Sequence, residues 1–251
     1  MAVQFDAERV DDVSRALQVP RISVTLLEGF ALSADGRPAP LPLSCQRLTA
    51  FLALHPRSVT RAYVAGMLWP ETTDDRATAN LRSALWRLRR VVPGVIVATR
   101  DHLELAPDIA VDVRSAAALC RELISGVEIR LENLRSACAS LSGEVLEGWY
   151  EDWALAEREV FHQLRLHALE ALCRHLVSAG NMAQAVEAGL AAVNCEPLRE
   201  SAQRELIKAF VAEGNSVTAL RQYQAYSRLL RSELGVEPSR ELKEIVSTIS
   251  S

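Results

Sequence analysis

The sequence predicts a mixed fold, with a small α+β domain at the front and an all-helical repeat domain behind it. Three observations predict this. Short β-branched runs cluster before residue 107, and an arginine-faced amphipathic helix lies among them. Behind them, a glycine-centred pattern recurs at an offset of 34 residues.

Bulk properties narrow the class. A chain of 251 residues accommodates two modest domains. Its 49 % hydrophobic and 24 % charged content is that of a globular chain. No stretch approaches the ~20 apolar residues of a membrane span, so no membrane partner is expected. The first residues carry Asp6, Glu8, Asp11 and Asp12 where an export signal would be basic, which predicts a cytoplasmic protein. Cys45, Cys120, Cys138, Cys173 and Cys195 form no CxxC pair, so reduced, mostly buried thiols are expected.

Residues 1–19 read as a polar, partly helical leader that Pro20 ends. Ile22–Leu32 is rich in β-branched and apolar residues and reads as short strands. Ala34-Asp35-Gly36-Arg37 is a turn signal, and Leu41–Ser44 reads as a further short strand. Cys45–Leu54 places Leu48, Phe51 and Leu52 on one helical face. Ser58 or Thr60 can cap a second helix, Arg61–Leu68, and Asp74 can cap a third, Asp75–Val92, which Pro93-Gly94 stops. Val95–Ala106 then reads as a hairpin around Arg100-Asp101. Strands, three helices and a hairpin in this order predict a winged helix of response-regulator type over residues 20–107.

Residues 108–251 are assigned to the rear domain, and from Val113 onward the pattern is read as helical throughout, punctuated by glycine and proline. Ala179-Gly180-Asn181 aligns with Glu213-Gly214-Asn215, Ala185 with Ala219, and Leu176 with Phe210. A helix–turn–helix of this period resembles a tetratricopeptide repeat, in which Gly permits the turn and Ala permits close helix approach.

The net charge of −4 is unevenly spread. Residues 20–107 hold eleven arginines against seven acids, a balance of +4. Residues 108–251 hold 15 basic and 21 acidic residues, a balance of −6. Different partners for the two halves follow.

The third helix concentrates the positive charge. Ala77, Leu81, Ala84, Leu85, Leu88 and Val91 form its apolar stripe. The rest of Arg76–Val92 carries five arginines and no acid, a composition suited to a DNA major groove. Asn80, Ser83, Arg87 and Arg90 are assigned to bases, because Arg pairs with guanine and Asn with adenine. Arg76, Thr78, Arg82 and Arg89, with Arg100 from the hairpin, are assigned to phosphates. Arg100 reads equally well as a plain turn residue, and Trp86 either packs on deoxyribose or caps the core. Glu71, in the loop before the helix, is assigned to a contact with polymerase, as that loop commonly makes in winged helices of this type.

Enzymatic signatures are missing from the sequence. His162, His167 and His175 are spaced 5 and 8 apart, without the i, i+4 pair of a helical zinc site, so no metal is expected. Glu144, Glu147, Glu151 and Asp152 flank Trp149, Tyr150 and Trp153 and read as a helix start over an aromatic core. Lys208 and Lys243, the two lysines, complete no phosphate-binding loop, so no cofactor is expected.

These residues carry a resemblance. LLEGFAL, Met67–Pro70 and ANLRSALWRLRRVV (Ala79–Val92) resemble the winged-helix domain of the Streptomyces antibiotic regulatory proteins. Val111-Asp112, Gly143–Val160, the repeat and Leu230–Ile245 resemble their bacterial transcriptional activator domain. The chain departs from the family at the hairpin, with Asp101-His102 where a Gly-Tyr is usual. The resemblance implies an activator of a secondary-metabolite cluster that binds direct repeats near the −35 region as a homodimer. It also implies recruitment of RNA polymerase with its sigma factor, in the small type of the family without an ATPase domain. The rival readings are a helical interaction scaffold, which salt-sensitive DNA affinity would argue against, and a repressor.

Overall fold

A computed structural model describes residues 22–126, 141 and 143–248. The expected leader and Cys138 lie outside them. The chain divides into two compact units, the first ending at Val111 and the second beginning at Asp112.

In the front unit, β1 (Ile22–Thr25) turns back through Glu28-Gly29 into β2 (Ala31–Ala34), pairing antiparallel from Ile22 against Ala34 to Thr25 against Ala31. Alternation buries Ile22 and Val24. Asp35 and Gly36 both have positive φ, as a tight two-residue hairpin requires, and lead into β3 (Arg37–Pro38). The run Leu41–Ser44, expected as a strand, instead opens a helix. Pro42 stands at the N-cap with φ −57°, and α1 spans Leu43–Leu54. A four-residue apolar run has no period of its own, and here it takes the helix that the next turns specify.

β4 (Val59–Thr60) leads straight into α2 (Arg61–Leu68), with the Thr60 hydroxyl accepting from the Tyr63 amide as N-cap. α3 (Asp74–Val91) follows, then β5 (Ile96–Ala98) and β6 (His102–Leu105). The second sheet is ordered β4-β6-β5 and antiparallel throughout. The last strand, β7 (Ala110–Val111), joins the first sheet by pairing parallel to β1. Leu48, Phe51 and Leu52 of α1, Val64 and Leu68 of α2, and Leu81 and Leu88 of α3 are buried together as the core of three mutually packed helices.

The rear unit contains α4 (Asp112–Ser125), α5 (Asp152–Ser178), α6 (Met182–Cys195), α7 (Glu200–Ala212), α8 (Ser216–Leu234) and α9 (Arg240–Ser247). Each of α5 to α9 packs on the next. The helical reading fails between Gly143 and Glu151, which form turns and extended backbone. Arginines replace helical hydrogen bonding there. Arg158 donates to the carbonyls of Val145, Leu146 and Trp149, and Arg165 to that of Gly143. The helix start expected near this segment is at Asp152. Trp149 meets the buried Trp153 edge-on at 5.9 Å, while Tyr150 is exposed.

The 34-residue repeat reappears bond for bond. Gly180 and Gly214 hold φ of 79° and 84°, donating to the carbonyls of Val177 and Val211. Asn181 and Asn215 donate to the carbonyls of Leu176 and Phe210 at 2.9 and 2.8 Å. These are the paired bonds of a Schellman turn, which needs a left-handed residue at the glycine. The aligned Ala185 and Ala219 are both fully buried. Another glycine, Gly189, sits so near the Leu206 backbone that an added Cβ would lie 3.1 Å from its Cα.

Candidate nucleic-acid interface

The interface is built on α3. Its inner face is set by Ala77, Leu81, Ala84, Leu85 and Leu88, all buried. Five apolar residues at steps of three and four fix the rotation of the helix, so the outward face follows from the sequence. Val91, expected in the stripe, is 45 % exposed, and Val92 takes its place in the core. Helical geometry ends at Val91, and the extended Val92 points inward.

At its start, Thr73 is the N-cap without a side-chain bond, and Asp74 and Asp75 occupy the first turn. This differs from the expected Asp74 cap by one residue. Both carboxylates still sit where the N-terminal dipole favours them. They also leave the cationic face to the residues after them.

Eight of the expected DNA residues lie on this one helix. Arg76, Thr78, Arg82, Ser83, Arg87, Arg89 and Arg90 are exposed, and Asn80 is half-buried at the margin of the inner face. The Ser83 hydroxyl donates to the Ala79 carbonyl at 3.0 Å, which leaves its oxygen free only to accept. Arg100 is not on the helix. It is exposed at the tip of the β5–β6 hairpin, whose turn is closed by the His102 amide donating to the Thr99 hydroxyl. That turn is tied to the start of α2, because Arg61 donates from its backbone to Asp101 and from its side chain to Thr99. Glu71 is exposed in the loop before α3.

In the rear unit, cation–carboxylate pairs run from His162 to Glu244. There Arg199 closes on the buried Glu170 at 2.7 Å, and Arg174, Arg204 and Lys208 surround the buried Glu205. The five α3 arginines form no such pair, so their charge faces solvent uncompensated. Cations arranged along a helix that fits a groove are what phosphate neutralisation requires.

Sequence reasoning left Trp86 between two roles. Trp86 is 59 % exposed and does not cap the core. The Arg90 guanidinium lies over its ring, 4.8 Å from the centroid. The signal was present in the phase of the buried residues, because position 86 falls opposite the line through Leu81, Ala84 and Leu88.

Among the described residues, no cluster of His, Cys, Asp or Glu could hold a metal ion, and no helix is long and apolar enough to cross a membrane.

Comparison with known proteins bears on both units. Residues 111–250 match the family described as bacterial transcriptional activator domain. The regulatory protein AfsR of Streptomyces coelicolor is 34 % identical over 211 residues, covering 80 % of this chain and 21 % of that protein. The AfsR protein of Streptomyces griseus is 28 % identical over 234 residues, covering 88 % of this chain and 23 % of that one. The chain thus spans less than a quarter of the length of these relatives. Its fold is similar to that of Mycobacterium tuberculosis EmbR, solved in complex with a low affinity phosphopeptide. The TM-score is 0.67 at 22 % identity, over 92 % of this chain and 65 % of that one. With the family matched over more than half its length, the chain belongs to the bacterial transcriptional activator domain family and is of the Streptomyces antibiotic regulatory protein type.

Proposed function

We propose that this regulator is a sequence-specific DNA-binding activator whose front domain, residues 20–107, is a winged helix that inserts α3 into the major groove. The observation that carries the reading is the uncompensated arginine face of α3, on a helix whose opposite face is fixed in the core. Asn80, Ser83, Arg87 and Arg90 are the proposed base contacts, and Arg76, Thr78, Arg82, Arg89 and Arg100 the proposed phosphate contacts. Arg100 reaches DNA as the tip of the wing, and its anchored turn supports that role by limiting the motion of the tip.

The tetratricopeptide-like rear domain, residues 108–251, is proposed to set the spacing of a homodimer on direct repeats near the −35 region. Its acidic balance suits a face turned away from DNA. Glu71 is the proposed contact to RNA polymerase with its sigma factor, and the proposed setting is a cytoplasmic regulator of an antibiotic-type biosynthetic cluster.

A mobility shift of the full chain on its own upstream promoter, against random competitor at two salt concentrations, tests DNA recognition. A specific shift that weakens with salt and resolves one and two protomers is expected. Transcription with purified polymerase then separates activation from repression. No shift above competitor on that promoter or on DNA selected from a random library would turn the reading toward a protein-binding scaffold.

A further inference from the structure

The burial phase of α3 defines one line along the centre of its outward face. Ser83, Trp86 and Arg90, all exposed, follow one another on it at i, i+3 and i+7, with the half-buried Ala79 one turn before them. Arg87 and Asn80 lie to one side of that line, Asn80 already half-buried. The most outward positions are therefore not uniformly cationic. An exposed indole stands at the centre, with a guanidinium stacked on it at 4.8 Å.

An indole 59 % exposed is costly to leave in water and makes no base-edge hydrogen bond that distinguishes purines. Facing a major groove, the apolar feature it can meet is the 5-methyl group of thymine. Arg90, held against the ring, then has its planar fork preset beside that methyl, where a neighbouring guanine presents O6 and N7. The stacking restricts the arginine before binding, so less freedom is lost when it bonds.

Resting on the DNA-binding reading above, we infer that Trp86 is a specificity-determining residue that reads a thymine methyl, with Arg90 reading an adjacent guanine, so that each half-site contains a T·G neighbour pair under this part of the helix.

The test begins with DNA selected from a random duplex library by the full chain. Each thymine of the selected site is then replaced by uracil, which removes only the methyl. Wild-type protein is expected to lose about fourfold in affinity at one thymine per half-site, the worth of one buried methyl. Trp86→Ala is expected to bind thymine and uracil duplexes equally there, and Trp86→Phe to retain part of the difference. Because the indole is mostly in solvent, Trp86→Ala is expected to keep the wild-type melting temperature, which confirms a folded variant. Equal wild-type binding to thymine and uracil at every position, with specific salt-sensitive binding intact, overturns this inference and leaves the DNA reading standing. Undiminished uracil discrimination by Trp86→Ala overturns it as well, since another residue then reads the methyl. Failure to select any DNA overturns both.

Discussion

Arg158 reaches back along the chain to the Val145 carbonyl, donating from Nε at 2.9 Å, and its second nitrogen bonds the carbonyls of Leu146 and Trp149. One guanidinium thus satisfies three main-chain acceptors of a segment that has no helix or strand to satisfy them. Arg158→Ala is expected to destabilise the protein by about 3 kcal/mol in chemical denaturation, because several partly buried carbonyls lose a charged donor together. Arg158→Lys is expected to recover little of this, since an ammonium lacks the fork. A loss under 1 kcal/mol for Arg158→Ala would show that water replaces the arginine.

Gly189 faces the backbone of α7. A methyl placed there would approach the Leu206 Cα and Cβ to 3.1 and 3.2 Å. Gly189→Ala would gain about 1 kcal/mol of helix propensity on an open surface. Here the contact is main chain, so α6 and α7 must separate, and a net loss of about 1–3 kcal/mol is expected. A thermal melt that rises on substitution would contradict this.

The two proposed classes of arginine contact predict different signatures. Arg87→Ala is expected to cost about 1–3 kcal/mol on the selected site and to relax preference at one base pair. Arg82→Gln is expected to weaken all sequences alike and to reduce the salt slope by about 1. Binding isotherms over a salt series decide both. Uniform loss for Arg87→Ala would move it to the phosphate class.

Burial pushes the thiol of Cys120 up to about 11 and that of Cys173 to about 12, and it raises Cys45 as well. A raised thiol titration leaves the neutral form dominant until pH exceeds those values, and only the thiolate is nucleophilic. Alkylation of the native protein at pH 8 is therefore expected to spare Cys45, Cys120 and Cys173, with the half-buried Cys195 reacting ahead of them. Mass spectrometry of native and denatured samples checks this. Rapid native labelling of Cys173 would mean that α5 and α7 open readily.

What the sequence made legible follows from periodicity and from backbone constraints. The α3 stripe has five helically spaced apolar residues, enough to fix both the element and its phase. The Gly180 and Gly214 turns were legible because their geometry excludes most other residues. β7 was not, because a two-residue strand carries no alternation and its pairing with β1 bridges most of the front unit. Leu41–Ser44 misled because apolar character without period fits either element. The Gly143–Glu151 segment also misled, because its order depends on Arg158, nearly two turns inside the following helix. At the candidate site, residue types pointed to a single helix. Which of them stand foremost depended on rotation, and that placed Trp86 among the arginines.

The unpaired charge of α3 has a consequence for the protein alone. Arg87, Arg89 and Arg90 crowd the last turns with Arg82 before them, and none of the four forms an ion pair among the described residues. Without a polyanion, this helix is held in shape by its inner face against the self-repulsion of its outer one. A bound duplex removes that opposition. Occupancy should therefore stiffen the end of α3 itself, and the slowing of its amide exchange would extend to residues that touch no DNA at all.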